Sequence, residues 1–356
     1  MTPKRLLVLS RYSRKGASTR LRTMQYSPYL TAAGFDLEFA NFFDDSYLDS
    51  LYSGYRRKFS TLGYFMRRIA HMRRARTADL ILVEKEALPW VPWSIERLLM
   101  PRDVPVVSDY DDAIFHSYDL HRSRFVRQVL GSKIAGVMAR SDIVFAGNSY
   151  LADNARKSGA KNVKLIPTVV DMSSYHYAPS GALDGRLRVG WIGTPETWSR
   201  YGIPMLNVFK RVVSMHRAVF RAVGAGQPAH KMPNFEFLPW SESSEIQLIQ
   251  GMDVGIMPLS DDPWSRGKCG YKLIQYMACG IPVVASPVGV NSAIVEHGVN
   301  GFLASTKAEW ADALDALLSD ADLRHRMGVA GRKKAEQEFS LQIYGPKVAS
   351  MLFDLA

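Results

Sequence analysis

Short apolar runs rich in Val, Ile and Leu recur along this chain, each closed by turn residues and followed by a helical stretch. This alternation constrains the fold more than any other feature. Buried-type strands separated by helices require crossover connections, which give a parallel sheet covered on both faces. A first series of strands is expected at residues 5–10, 36–40, 79–83, 104–108, 143–146 and 163–166, with helices over 19–33, 122–140 and 149–158. Ser149 is the expected cap of the third helix, which stops before Gly159. A second series is expected at 187–192, 218–223, 254–257 and 283–286, with helices over 271–278, 307–318, 323–339 and 341–356. Between the series lies a polar stretch with Pro and Gly, Tyr175 to Gly185, read as a linker. The expected class is α/β, with two doubly wound Rossmann-like domains facing across a cleft. The expected domains are 1–175 and 176–340, with the 341–356 helix packing back on the first. Ligands of such sheets bind outside the carboxyl ends of the strands.

Composition narrows the class. At 356 residues, 47% hydrophobic and 22% charged, the chain builds a real core, which excludes disordered and fibrous proteins. Two cysteines, Cys269 and Cys279, exclude a disulfide framework and a four-cysteine zinc site. Apolar runs such as 80–83 and 281–285 fall far short of the ~18 residues of a membrane span. Leu6–Leu9 is too short for a signal core and Arg11, Arg14 and Lys15 follow it, so the expectation is a cytoplasmic protein. The net charge is +11; residues 1–175 hold 27 Lys+Arg and 17 Asp+Glu, leaving 18 and 17 for the rest. The basic first half implies an anionic partner, while a solubility role is the bland alternative.

The second half carries the clearest ligand chemistry. Residues 263–291 read as a glycine-containing loop, a helix and a strand. Gly267 and Gly270 would permit close backbone approach by a ligand. The helix opening at Tyr271 offers N–H groups and a positive dipole end to a diphosphate, with Lys268 and Lys272 adding charge. Leu273, Ile274 and Met277 read as core, and both lysines as solvated surface in the bland alternative.

The run Gln275-Tyr-Met-Ala-Cys-Gly-Ile-Pro-Val-Val-Ala-Ser286 resembles the signature of family 4 retaining glycosyltransferases of the GT-B fold. Residues 166–171, 190–200 and 295–303 resemble further segments of that family, in the family's order. The resemblance implies transfer of a sugar from a nucleotide diphosphate donor, without a cofactor or a required metal. It places Gly193, Thr194, Arg200, Lys268, Cys269, Gly270, Tyr271, Lys272 and Gln275 at the donor, and Gly16 facing it. Arg200 and Lys272 would stabilise the leaving diphosphate. The family usually carries two glutamates eight positions apart; here Gly267 and Gln275 stand there, as in a sub-branch lacking the pair. Gln275 can still hydrogen-bond a ribose hydroxyl, and Asp261, Asp262 or Lys268 would take over sugar recognition.

The first half is expected to hold the acceptor. The loop Gly16-Ala-Ser-Thr-Arg-Leu-Arg22 enters a helix, and Arg20 could serve either substrate. Val106-Val-Ser-Asp-Tyr-Asp-Asp112 gathers three acids at the end of a predicted strand. Asp111 and Asp112, with Asp109 behind them, could take a proton from an acceptor hydroxyl or hold its other hydroxyls. A Mg²⁺ site is the rival reading. Glu84 and Glu86, ending the preceding strand, are further acceptor candidates or a solvated loop.

Residues 56–76 are strongly basic, and Phe59, Leu62, Met66 and Ile69 share one helical face. The expectation is that this stripe packs on the sheet while the arginines meet an anionic membrane surface. No module or aromatic interleaving points to nucleic acid. The resulting expectation is a bacterial-type glycosyltransferase acting on a glycan or polyprenyl-linked acceptor in polysaccharide or glycoconjugate synthesis. It would be peripheral on the inner face of the cytoplasmic membrane. The alternatives are a sugar-nucleotide epimerase of GT-B-like fold and a non-catalytic sugar-nucleotide-binding protein.

Overall fold

The strands at the centre of each sheet are buried on both faces, as helices on both sides require. A computed structural model describes residues 2–53, 61–177 and 184–356, and these divide into two units. The first takes in the described residues up to Thr168, with Gly267–Cys269 and Ile343–Ala356. The second comprises Val169–Arg266 and Gly270–Gln342. The expected linker lies outside the described residues over 178–183, and the basic segment over 56–60, Phe59 included.

The first unit holds β1 (Lys4–Ser10), β2 (Phe35–Asn41), β3 (Leu80–Glu84), β4 (Val106–Tyr110), β5 (Ile143–Ala146) and β6 (Val163–Leu165). All pair in parallel in the order β2-β1-β3-β4-β5-β6. β3, β4 and β5 are buried at every position. Register sets Glu84 of β3 opposite Asp109 of β4, so two carboxylates meet at the carboxyl end of the sheet. The last helix, Leu341–Leu355, sets Phe353 edge-on to Phe35 at 5.9 Å, and Lys4 Nζ donates to the Phe353 carbonyl (3.0 Å).

The second unit holds β7 (Arg188–Ile192), β8 (Val219–Val223), β9 (Phe235–Leu238), β10 (Val254–Met257), β11 (Val283–Ala285) and β12 (Gly301–Leu303). Their order is β12-β11-β10-β7-β8-β9, again all parallel. The chain reverses its direction across the sheet between β7 and β10, which makes that edge the topological switch point. β9 and β12 are not among the expected strands: each is only three or four residues long, and β12 opens on a glycine. One side of the core stacks Trp191, Phe209, Phe220 and Trp310; the other packs Leu273, Tyr276 and Met277.

Several helices differ from expectation. Residues 19–33 form three short pieces, Ala17–Arg22, Met24–Tyr26 and Ser27–Ala32, because Pro28 restarts the helix at its first turn. Residues 122–140 break at Gly131 into Arg124–Leu130 and Lys133–Arg140. The Ser149–Lys157 helix is capped by Asn148, whose side chain accepts from Leu151 N (2.9 Å), not by Ser149. In Thr61–Arg74 the buried residues are Tyr64, Arg68 and Met72, whereas Leu62 and Met66 are exposed. The expected stripe is thus rotated: the aromatic cluster of Phe42, Phe43 and Tyr64 wins the inner face. Arg68 is sealed inside, donating to the Ser10 carbonyl, with burial pushing its pKa down to about 9, so it meets no membrane. Among the described residues no helix is long and apolar enough to cross a membrane.

Candidate functional site

At the carboxyl ends of β3 and β4 the first unit concentrates charge. Lys85 follows β3 in a left-handed conformation, φ +66°, which strains a non-glycine residue. That turn carries its ammonium to Asp111 Oδ1 (2.9 Å) and Asp112 Oδ2 (2.7 Å), with Ser18 Oγ at 3.4 Å. Burial opposes the charge on Asp111, but Lys85 outweighs it and holds the carboxyl below its usual range. Asp111 is therefore a weak base at neutral pH and is suited to accepting hydrogen bonds from hydroxyls. Asp112 Oδ1 has no hydrogen-bond partner. The Lys85 ammonium supplies the cation between the two carboxylates that the Mg²⁺ reading required.

The other acids expected at an acceptor are consumed by the fold. Arg22 clamps Asp109 through Nε (3.0 Å) and Nη2 (2.6 Å), and its Nη1 donates to the Ile166 carbonyl (2.7 Å). Glu86 is fully buried, accepts from the Tyr118 hydroxyl (2.8 Å) and pairs with Lys133 (2.6 Å). Asp109 and Glu86 hold the interior together, because removing either would leave Arg22 without its partner or weaken the pairing of Lys133. Arg20 is buried in the first helix, with Nη1 3.5 Å from the Arg14 carbonyl. At Gly16 the requirement is internal too, since a Cβ would stand 2.5 Å from that of Tyr12.

Glu84 is also enclosed, accepting from Thr19 Oγ1 (2.6 Å) and Arg11 N (3.2 Å). Burial pushes its pKa up to about 7, against the pull of Lys85. Between its ordinary value of 4.5 and about 7 the folded chain therefore holds more protons than the unfolded one. Stability must fall as pH rises through that window. Glu84→Gln keeps an acceptor for Thr19 and is expected to flatten the slope, by on the order of 3 kcal/mol across the window. Urea unfolding of both proteins at pH 5 and pH 8 checks this, and parallel pH dependences refute it.

Gly267 to Cys269 belong to the first unit. Asn148 Nδ2 donates to the Gly267 and Lys268 carbonyls, both at 3.0 Å, so one side chain caps a helix and fastens this loop. A Cβ on Gly267 would lie 2.4 Å from that of Ala113, so the close packing of the protein itself already requires a glycine there. Cys269 donates its thiol to the Asp111 carbonyl (3.0 Å), and burial pushes its pKa up to about 12. Its side chain is thereby withdrawn from the expected donor role.

In the second unit, Gly270 takes φ +66° and opens the Tyr271–Ala278 helix with no side-chain cap. A Cβ there would also strike Ile294 at 2.3 Å. Tyr276 fixes the helix against β7 by accepting from Ile192 N (3.1 Å). One turn earlier, Lys272 Nζ lies over the Trp191 ring, 4.6 Å from its centroid, and 2.8 Å from where a Gly193 Cβ would be. Thr194 caps the next short helix in a box with Thr197. Arg200 sits in a π-helical turn and donates to Asp262 Oδ2 (3.0 Å), which joins the loops after β7 and β10 at the switch point. Asp261 is exposed and paired with Arg266 (2.6 Å).

Gln275 is buried, and its amide N–H groups donate to the Tyr175 hydroxyl (2.9 Å) and Glu245 Oε1 (2.7 Å). Glu245 Oε2 accepts from Trp240 Nε1 (2.6 Å). A carboxylate thus stands beside position 275 although the sequence there is neutral. Sequence reasoning missed Glu245, Lys85 and Asn148. Glu245 lies thirty residues from its partner, and only the backbone turn at Lys85 reveals that residue's reach.

Residues 187–320 match the family described as Glycosyl transferases group 1. The D-inositol 3-phosphate glycosyltransferase of Pseudarthrobacter chlorophenolicus is 37% identical over 90 residues, 25% of this chain and 20% of that protein. The capsular polysaccharide biosynthesis glycosyltransferase CapM of Staphylococcus aureus is 25% identical over 156 residues, 41% of each chain. The chain thus spans less than half the length of these curated relatives. Anabaena Alr3699/HepE, solved with UDP and glucose, superimposes with a TM-score of 0.74 at 18% identity, over 99% of this chain and 100% of that one. Sucrose-phosphate synthase from Thermosynechococcus elongatus gives 0.72 at 16% identity, over 100% and 99%. The chain therefore has the fold of the GT-B glycosyltransferases, two parallel six-stranded α/β units, with its group 1 likeness in residues 187–320.

Proposed function

We propose that this chain is a glycosyltransferase of the retaining family 4 type, in the sub-branch without the usual glutamate pair. It moves a sugar from a nucleotide diphosphate donor to a glycan or lipid-linked acceptor. One observation carries the reading: the group 1 match covers the switch point, where Lys272 stands beside Gly193 at the end of β7. Lys272, Arg200 and the uncapped helix amides bind the donor diphosphate. The C1–O bond to the diphosphate breaks, and a new bond forms from C1 to the acceptor oxygen on the same face. The acceptor proton passes to the departing diphosphate oxygen. Charge on that oxygen grows in the transition state, so the cations act on the rate as well as on binding. Arg200 exchanges Asp262 for phosphate when donor binds. Glu245, held by Gln275, accepts from the ribose hydroxyls and stands in for the missing glutamate. Asp111 and Asp112 hold acceptor hydroxyls. The UDP and glucose in HepE support a nucleotide-sugar donor, and the likeness to CapM supports a role in polysaccharide synthesis.

The test is nucleotide release from UDP-, GDP-, ADP-, CMP- and dTDP-sugars by the purified chain, with and without membrane lipid and glycan extracts. Acceptor-dependent release is the expected result. Conversion of donor sugar without acceptor establishes an epimerase instead, and neither reaction nor thermal stabilisation by any conjugate refutes the proposal. In the same assay Asp111→Asn and Asp112→Asn are each expected to lower transfer by about 10–100-fold while donor affinity holds, the worth of a hydrogen bond to a charged group. Loss of donor affinity instead would remove these residues from the acceptor side.

A further inference from the structure

Three helices of the first unit, Thr61–Arg74, Trp93–Leu99 and Arg124–Leu130, each leave an apolar pair outside. The pairs are Leu62/Met66, Ile95/Leu98 and Phe125/Val129, between 41% and 76% exposed. Their spacings of three and four residues put each pair on one face of its helix. The helices are neighbours. The first packs against the second. The second is pinned by Glu96 to Lys133 (3.1 Å), and only Gly131 and Ser132 separate Lys133 from the third. Trp90, half exposed, faces His121 at 5.7 Å and joins the loops that precede the second and third.

The exposed charge on these three helices has one sign. Arg67, Arg73, Arg97, Arg124 and Arg127 are exposed on the same helices. The single acid among the three helices is Glu96, which is buried against Lys133. Exposed patches on a soluble protein are usually broken by both signs of charge, and apolar side chains at this exposure cost solubility unless covered. We propose that this face is a docking surface for an anionic lipid bilayer. Leu62, Met66, Ile95, Leu98, Phe125 and Val129 enter the acyl boundary while the arginine stems extend to the phosphate level. Charge complementarity selects anionic headgroups, since the three helices carry these five exposed guanidinium groups and no exposed acid, which a net negative surface attracts more strongly than a zwitterionic one. The surface gives a lipid-linked acceptor its membrane, but it stands without the transferase reading, and its test uses neither donor nor acceptor.

The test is co-sedimentation of the full chain with vesicles of phosphatidylcholine alone and of phosphatidylcholine with phosphatidylglycerol. Binding is expected to the anionic vesicles only, with partial release at 1 M salt, where screening shortens to ~3 Å. Burying one such side chain changes a partition constant by about tenfold. Ile95→Ser, Leu98→Ser, Phe125→Ser and Val129→Ser together are therefore expected to lower binding at least ~100-fold at low salt. Replacing Arg73, Arg97, Arg124 and Arg127 by Gln is expected to remove the preference for anionic vesicles. Met215→Ser and Val329→Ser, exposed apolar positions of the second unit, leave binding unchanged. All these positions are exposed, and an unaltered melting temperature verifies the fold of each variant. Absence of vesicle binding, or equal binding by the serine variant, overturns the proposal. So does a concentration-dependent dimer in sedimentation that the serine variant abolishes, which would make this face the contact with a second copy.

Discussion

Lys272→Ala is expected to lower kcat/KM by on the order of 10²–10³, about 3–4 kcal/mol, the worth of a preorganised group facing charge that develops in the transition state. The core predicts little loss of stability. Trp191 stays buried in the variant, packed on Trp198 at 5.1 Å, and what leaves is the ammonium over its ring. Arg200→Ala is expected to cost less, about tenfold, because an exposed salt bridge to Asp262 already competes for its charge. The two variants therefore compare the cation over Trp191 at the helix opening with one that Asp262 engages. Initial rates against donor concentration, with the melting temperature of each variant alongside, give the answer. Wild-type kinetics for Lys272→Ala would remove Lys272 from the diphosphate site. An equal loss in both variants would show that the Asp262 salt bridge does not reduce the contribution of Arg200.

The alternation of strands and helices was legible because buried parallel strands leave β-branched and Leu-rich runs that polar turns interrupt. β5 and β10 coincide with their expected spans, as does the Tyr271–Ala278 helix. Boundaries and breaks were lost where one residue decides them, at Pro28 and at Gly131, and the cap moved one position to Asn148. The rotated face of Thr61–Arg74 has a different cause. Periodicity alone ranked Leu62 and Met66 with Ile69, but Phe42 and Phe43 select an aromatic partner, and Tyr64 supplies it. Carboxylates were the least legible feature of all. Glu84, Glu86, Asp109, Asp111 and Asp112 look alike in sequence, since each ends or follows a strand. Their partners divide them: Arg22 and Lys133 close two of them into the interior, and Lys85 leaves two at a partly open edge. Those partners lie 27 to 87 residues away for Asp112 and Asp109, so the distinction appears only in the fold.

Lys133→Met is the substitution expected to destabilise the first unit most, by about 3–5 kcal/mol, because it strips the shared cation from two buried carboxylates. Lys133 is fully enclosed and stands 2.6 Å from Glu86 Oε2 and 3.1 Å from Glu96 Oε2 while also donating to the Leu88 carbonyl. Glu86 retains the Tyr118 hydroxyl and Arg11 (3.4 Å) and Glu96 retains Ala87 N and Leu88 N, so the network does not vanish, but two buried carboxylates then share one more distant cation. Burial already raises the Glu96 carboxyl, and Lys133 pulls it back. Without the lysine the folded chain binds protons there more readily than the unfolded chain. The sign follows: the variant's deficit is largest at neutral and alkaline pH and shrinks as pH falls towards the ordinary carboxylate range. Lys133→Met combined with Glu86→Gln and Glu96→Gln removes the three enclosed charges, leaving only the partly exposed Arg11 charged, and is expected to recover part of the loss. Urea unfolding at pH 5 and pH 8 distinguishes a charge effect from a packing effect. A deficit that is equal at both pH values, and that the neutralised triple variant does not relieve, would show that the lysine stem and not its charge holds these helices.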